Sequence, residues 1–407
     1  MKSRRLNKNI KGFQFVSLIL LTTIMSCLQQ HKESDVSVSE NEESHVFADI
    51  MTLKVKTTKK FAIDQSTSYQ TLFLNVYYDN KEKKRYLTYQ DGEGNCIQFY
   101  GFDSEVLERK ICFSKQGPNS VRKLTGYKVI NFDSIYVIDK SSKTLALFNG
   151  QGVKKENYRL LLGSETNQTS TAWAFSPTSF LLIENDSIYL PAHPNRSPYY
   201  LGSPFVAVDL KSGNYEYIGK YTDYYSDPND EWNENIFGGF FSHSYNSKTK
   251  NMIFSFQGDP YIYTGHPRNP LRQKFLARSE KFYGAKPPAN KALSSAEHFL
   301  SIDSYVYILY DSYRDLYYRV ASHSTDLLKT DLTKNKSEDK IMSIIILDAS
   351  FEKVGEVYLP PNRYFFRTMF VEKEGLYIST AHYANPNLKE DYIEFDVFEP
   401  QTLLNHE

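Results

Sequence analysis

Asn131-Phe132-Asp133-Ser134-Ile135-Tyr136-Val137-Ile138-Asp139, then Lys140–Lys143, then Thr144-Leu145-Ala146-Leu147-Phe148-Asn149, is the stretch that decides the fold. An Asp-Ser turn leads into a run of β-branched and aromatic residues that ends in Asp. A short polar break follows, then a second apolar run ending in Asn. Val, Ile and Tyr favour the pleated, half-buried surface of a strand, whereas Asp, Asn, Ser and Lys clusters punctuate turns. The segment reads as two strands of an antiparallel sheet.

The same grammar recurs along the chain. Glu184-Asn185-Asp186-Ser187-Ile188-Tyr189-Leu190 is followed by Phe205–Asn214 and Tyr215–Gly219. Ser301–Tyr310 is followed, after an insertion, by Ile344–Ser350, and Glu372–Ser379 by Ile393–Glu399. Weaker copies lie at Tyr86–Phe113 and Phe240–Tyr263. The chain therefore holds roughly six units of about 40–65 residues, the spacing expected of a repeat architecture. A lone four-stranded unit cannot bury both of its faces, so neighbours must stack and close into a ring. The expected fold is all-β, a β-propeller of six four-stranded blades. A pair of β-sandwiches is the alternative; it accounts for the strands but not for the repeated grammar. Val46–Lys56 and Thr71–Tyr78 precede the first full unit and are expected to complete the last blade, which looks short. Only Pro270–Ser279 offers a helix candidate. With 32 Tyr and 27 Phe, the composition agrees with strands.

The N-terminus reads as an export signal. Lys2, Arg4, Arg5, Lys8 and Lys11 precede an apolar run, Phe13–Met25, too short to span a bilayer as a helix. It ends in Ser26-Cys27, which looks like a lipobox. Residues 1–26 are then the signal peptide, and Cys27 is the lipidated first residue of the mature protein. Residues 27–45 are polar and read as a flexible tether. Residues 46–407 form the propeller domain. This implies a cell-envelope location, with the chain lipid-anchored to the outer membrane. The signal holds five of the 48 basic residues and none of the 48 acidic ones, so the mature chain carries a surplus of five acids. Such a balance argues against nucleic acid as a partner. Cys96 and Cys112 lie on what read as neighbouring strands, so a bridge and two free buried thiols both remain open.

Gln116-Gly117-Pro118-Asn119-Ser120-Val121, Gly126-Tyr127 and Asp133-Ser134-Ile135-Tyr136 carry a resemblance. The chain resembles a family of Bacteroidetes lipoproteins known only as a domain of unknown function, and is similar to the six-bladed propeller lipoproteins of those bacteria. The resemblance implies an envelope location and a propeller fold. It implies no activity, since the family has no catalytic motif to transfer.

Motifs that carry chemistry are sparse. No Gly-x-Ser-x-Gly elbow and no phosphate-cradling glycine loop occurs. His193, His243, His266, His298, His323 and His382 are spread over the units without metal-ligand spacing, so neither a metal nor another cofactor is expected. Asp91–Asn95 reads as a tight turn rather than a calcium loop. Two loops are richer than turns require. Pro191–Tyr200 holds His193, Arg196, Tyr199 and Tyr200, and Tyr263–Pro270 holds Tyr263, His266 and Arg268. Both follow the apolar-Tyr strand of their unit, which predicts that they emerge on one face of the ring. Trp232, in the acidic loop Asp223–Glu234, would rim the same face. Rings with Arg and Asn suit a glycan or a peptide. The leading reading is a non-enzymatic binding or scaffold lipoprotein. The alternatives are a propeller-type glycan lyase or hydrolase, and a structural subunit of an envelope complex.

Overall fold

A sheet with two apolar faces needs cover on both, and the computed structural model shows how neighbouring sheets supply it. It describes residues 37–38, 50–65, 67–71, 73–91, 93–139, 141–159, 170–173, 181–194, 202–222, 240–266, 268–282 and 293–403. The chain divides into two units, Met1–Ser37 and Val38–Glu407; the propeller belongs to the second. Of the expected signal and tether, only Ser37–Val38 are described, as a two-residue strand.

Six antiparallel sheets form the blades. Blade I comprises Leu74–Asp79, Lys84–Asp91, Cys96–Gly101 and Leu107–Cys112. Blade II comprises Leu124–Asn131, Ser134–Asp139, Thr144–Phe148 and Lys154–Arg159. In blade III the second, third and outer strands are Ser187–Pro194, Phe205–Asp209 and Tyr215–Ile218. Its inner position is shared by Leu182–Glu184 and Ser170–Trp173, which pair with opposite ends of Ser187–Pro194. Blade IV has Phe241–Asn246, Asn251–Phe256, Tyr261–His266 and Asn269–Leu276. Blade V has Ser304–Asp311, Leu316–Ser322, Met342–Leu347 and Lys353–Tyr358.

Blade VI closes the ring. It takes Met369–Glu372, Gly375–Ser379 and Tyr392–Thr402 from the C-terminal end, and its outer strand is Met51–Ala62. That strand pairs from Met51↔Thr402 to Ala62↔Tyr392. The expectation that N-terminal material completes the last blade holds for the first segment only. The second, around Thr71–Tyr78, supplies the inner strand of blade I.

The repeated grammar is a turn device. Asp79, Asp91, Asp139, Asp209, Asn246 and Asp311 each end a strand and accept backbone N–H bonds two or three residues on. Four residues after each, Lys83, Asn95, Lys143, Gly213, Lys250 and Asp315 take positive φ. A left-handed residue other than glycine costs roughly 1–2 kcal/mol. The side-chain cap on the turn's N–H groups offsets that cost and explains why Asp or Asn stands at each strand end.

Aromatic residues fill the layers between blades. Phe61, Tyr100, Phe102 and Phe395 pack between blades VI and I, and Phe254, Ile262, Tyr305 and Ile345 between IV and V. Pro270–Ser279, the helix candidate, is mostly the outer strand of blade IV. The one described α-helix is Ser295–Ser301, opened by a capping box of Ser294 and Glu297. No described helix is long and apolar enough to cross a membrane. Cys96 and Cys112 face each other on the third and outer strands of blade I and form a disulfide.

Candidate functional site

The two sides of the ring are unlike. In each blade the inner-to-second and third-to-outer turns lie at one end, and the remaining connections lie at the other. Ile308 N and Tyr310 N donate to Ser242 Oγ and Ser244 Oγ, so the inner strands of blades IV and V run in the same direction. On the first side every turn between named strands has two to five residues. On the second, connections reach eleven residues at 113–123, nineteen at 323–341 and twelve at 380–391. Long loops over a rigid scaffold are where binding groups collect.

On this loop side a polar network joins blades IV and V. His323 Nε2 lies 2.9 Å from Ser343 Oγ, which donates to Glu356 Oε1 at 2.6 Å. Ser279 Oγ donates to the same oxygen, and Lys353 Nζ and the Glu280 N–H donate to Oε2. Burial pushes the Glu356 carboxyl up, but these bonds outweigh it and hold the group below the ordinary range. Asp303 Oδ1 stands 3.9 Å from His323 Nδ1, and burial lowers the His323 pKa.

The order Asp303, His323, Ser343 is that of an acyl-transfer triad, but the surroundings are wrong for that chemistry. Ser343 is fully buried, and a carboxylate touches its Oγ. An oxyanion would grow against negative charge instead of against N–H donors. The network ties strand ends together.

Two further groups hold the long connection of blade V. Lys340 is buried over the Phe299 ring, and its Nζ donates to Phe299 O and Ile302 O, both at 2.7 Å. It thereby satisfies carbonyls at the end of the short helix. Burial drives its pKa down to about 7. Nearer the surface, the Tyr383 hydroxyl donates to Asp339 and accepts from Lys329 Nζ. Its ring stacks on His382 and carries Lys336 Nζ 4.1 Å from its centroid.

The opposite, tight-turn side carries a charge clamp across the ring closure. Arg85 of blade I reaches Glu372 and Glu374 in the first turn of blade VI, and Asp103 of its own blade. Tyr313 of blade V also donates to Glu372, and Arg314 donates to the carbonyls of Glu372 and Lys373.

The residues predicted from sequence separate. Tyr263 is buried, with its hydroxyl on Asp259 Oδ2 at 2.7 Å, so it is a core residue and no stacking platform. His266 and Arg268 are exposed in the third-to-outer turn of blade IV. His266 Nε2 is 3.8 Å from Glu184 Oε2, and Arg268 pairs with Glu216. Glu184 closes the inner strand of blade III at its tight-turn end, whereas the second strand of that blade leaves at Pro194, the other end. The expectation that the two rich loops share a face is therefore wrong. One follows a second strand and the other a third, and antiparallel neighbours exit at opposite ends. His193 is a strand residue facing Ala172. Its side chain, along with Cys27, Arg196, Tyr199, Tyr200 and Trp232, lies outside the described residues. Sequence reading passed over Lys340, Tyr383 and Arg85, and took His323 only as one of six scattered histidines. The available signal was position, since His323, Lys340 and Tyr383 flank the longest fully described connections.

The class of protein is a six-bladed β-propeller with one loop-rich side. The chain belongs to the DUF4221 family, described as a domain of unknown function, whose sequence profile it matches over residues 51–358. That span covers the closing strand and blades I to V. A crystal structure of a member of this family from Bacteroides vulgatus is 22% identical, with a TM-score of 0.77, over 87% of this chain and 99% of that one. A putative exported protein from Bacteroides fragilis is 13% identical, with a TM-score of 0.49, over 88% and 98%. Virginiamycin B lyase from Staphylococcus aureus is 8% identical, with a TM-score of 0.40, over 87% and 100%. The first likeness bears on the fold alone, and none transfers an activity. No curated protein matches the chain.

Proposed function

We propose that this protein is a lipid-anchored propeller of the bacterial cell envelope that binds or scaffolds a partner, a glycan or a peptide, through its loop side. The reading is non-enzymatic. One observation carries it: among the described strands the long connections fall on one side, and the turns on the other have two to five residues. A ring and cations stand together there, in Tyr383, Lys329 and Lys336, with the buried His382 ring stacked on Tyr383, a composition that suits hydrogen bonding to hydroxyls or carboxylates. The anchor rests on Cys27 and the apolar run before it.

Glycan and peptide arrays probed with the mature chain test the binding. A ligand lost on Tyr383→Ala and Lys336→Ala, but kept on Arg268→Ala, is the expected result. A ligand that maps to Arg268, or a glycan that is cleaved, overturns the reading. Fatty-acid labelling tests the anchor separately: Cys27→Ala should give an unprocessed, unlabelled precursor.

A further inference from the structure

The connection 323–341 is an arm between the second and third strands of blade V, and one buried amine pins its root. His323 N donates to Ile341 O at 2.8 Å and closes the root. Beside it Lys340, 3% exposed, donates from Nζ to Phe299 O and Ile302 O at the C-terminal end of the helix Ser295–Ser301. Farther out, the arm is held by Lys334 on Glu297 and by Lys329 on Asp339, pairs in which water reaches at least one partner. Such pairs contribute little.

Counting donors sets the charge state that fits the root. A neutral lysine amine has two N–H groups, and the ammonium has three. Two carbonyls accept them, and among the described residues no third acceptor reaches Nζ. Asp303 acts on Lys340 through space, its Oδ1 accepting the Ser324 N–H at 2.7 Å. The Phe299 ring, 4.2 Å from Nζ, favours the ammonium, but enclosure in protein disfavours it more.

We propose that the arm 323–341 is a pH-sensitive latch: it rests closed with Lys340 uncharged, and a proton taken up by that amine loosens it. Loosening moves Lys329, Lys336 and Asp339 away from Tyr383, so binding through the loop side weakens as the latch is protonated. That consequence rests on the loop-side reading above, whereas the latch itself does not.

Other titratable groups face the arm. Ser343 gives its hydroxyl hydrogen to Glu356, so the neutral His323 ring donates from Nε2 and leaves Nδ1 bare. Burial lowers the His323 pKa, which keeps the ring neutral above pH 6.5. Lys281 and Glu356 act on His323 from the far side. Asp339 titrates below the ordinary carboxyl range and Tyr383 above 10. The helix adds Glu297 and His298, and the neighbouring connection adds His382, whose Nε2 lies 3.0 Å from Glu338 O.

Trypsin reads the latch on the mature chain, because Lys329, Lys334 and Lys336 lie on the arm. Cleavage there, measured from pH 7.5 to 9 and divided by the rate on a free peptide of residues 324–341, follows the population of open arm. Opening returns Lys340 from a pKa of about 7 to the ordinary 10.5 and takes up a proton, so the open population should fall about twentyfold over that interval. Lys340→Met and Lys340→Gln, neither of which titrates, should both be flat, and this separates the Lys340 proton from those of His298 and His382. A flat native profile, or the native slope kept in either variant, overturns the latch. Cleavage after Lys128, in the inner strand of blade II, as fast as on the arm would mean that the whole ring opens, and overturns it too. Loss of loop-side binding to any array would leave this measurement intact.

Discussion

Replacing Arg85 with Met should destabilise the ring at its closure. The guanidinium donates to Glu372 Oε2 at 3.1 Å, to both oxygens of Glu374 at 3.0 and 2.9 Å, and to Asp103 at 2.7 Å, while lying 4.4 Å from the Phe102 ring centroid. These bonds differ in worth. Asp103 is 75% exposed, so its pair with Arg85 contributes little, and Glu374 at 33% contributes modestly. Glu372 is 10% exposed, and burial raises its pKa despite Arg85. Without Arg85 its charge is buried with, among the described residues, the Tyr313 hydroxyl on it. Removing one partner of a buried pair costs about 3–5 kcal/mol, and the partial exposure of Arg85's other partners puts the expectation near the lower end, about 3 kcal/mol. Urea unfolding of the mature chain measures it.

Two controls sharpen the reasoning. Arg85→Met with Glu372→Gln should recover about half of the loss, because the orphaned charge is gone. A carboxyl whose folded pKa is raised stabilises below its unfolded pKa, and that contribution is lost as pH rises through the folded value. The deficit of Arg85→Met should therefore be largest near pH 7–8 and shrink toward pH 5. A cost below about 1 kcal/mol, a flat pH dependence, or a double variant as weak as the single one refutes the clamp.

Other outcomes follow from the same structure. Lys340 has a folded pKa of about 7 against an ordinary 10.5, so the unfolded chain holds more protons between those values and stability should rise with pH across that window; unfolding free energies from pH 7 to 10 should show the rise in the native protein and lose it in Lys340→Met. Reducing Cys96–Cys112, which closes a separation of 16 residues, should cost about 3 kcal/mol, read as a shift in the urea midpoint with and without reductant. Deleting Met51–Ala62 removes the outer strand of blade VI and bares the edge of Tyr392–Thr402; the expected product aggregates without a cooperative melt, and a stable soluble monomer would mean the strand does not seal the ring.

The blades were legible because their turns are written in side chains. Asp139 and Asp311 mark strand ends by capping N–H groups, and that chemistry survives in a single sequence. The weaker copies, Tyr86–Phe113 and Phe240–Tyr263, also proved to be blades, I and IV. Strand phase was not legible. Tyr189 and Tyr263 both sit in apolar-Tyr strands, but one strand is second and the other third, and no local pattern distinguishes them. Asn269–Leu276 misled for a different reason. Leu271 and Phe275, the residues that pack on the core, are four apart, a spacing that fits one face of a helix and one face of a strand equally well. The His323 network joins strands of the consecutive blades IV and V that are paired or packed only in the folded sheet, and Arg85 meets Glu372 across a contact that only the closed ring makes.

The way the ring is sealed also decides how the domain bears force. A pull at Ile50 away from the ring acts along the strand Met51–Ala62, so the pairings from Thr402 to Tyr392 share the load in shear. A pull at Ala62 would peel the same pairings apart one at a time. Survival under load is set by the rate of unfolding, and the geometry raises the barrier against a pull on the chain just before this strand. The strand that completes the sixth blade is thus also where the ring best resists being drawn open.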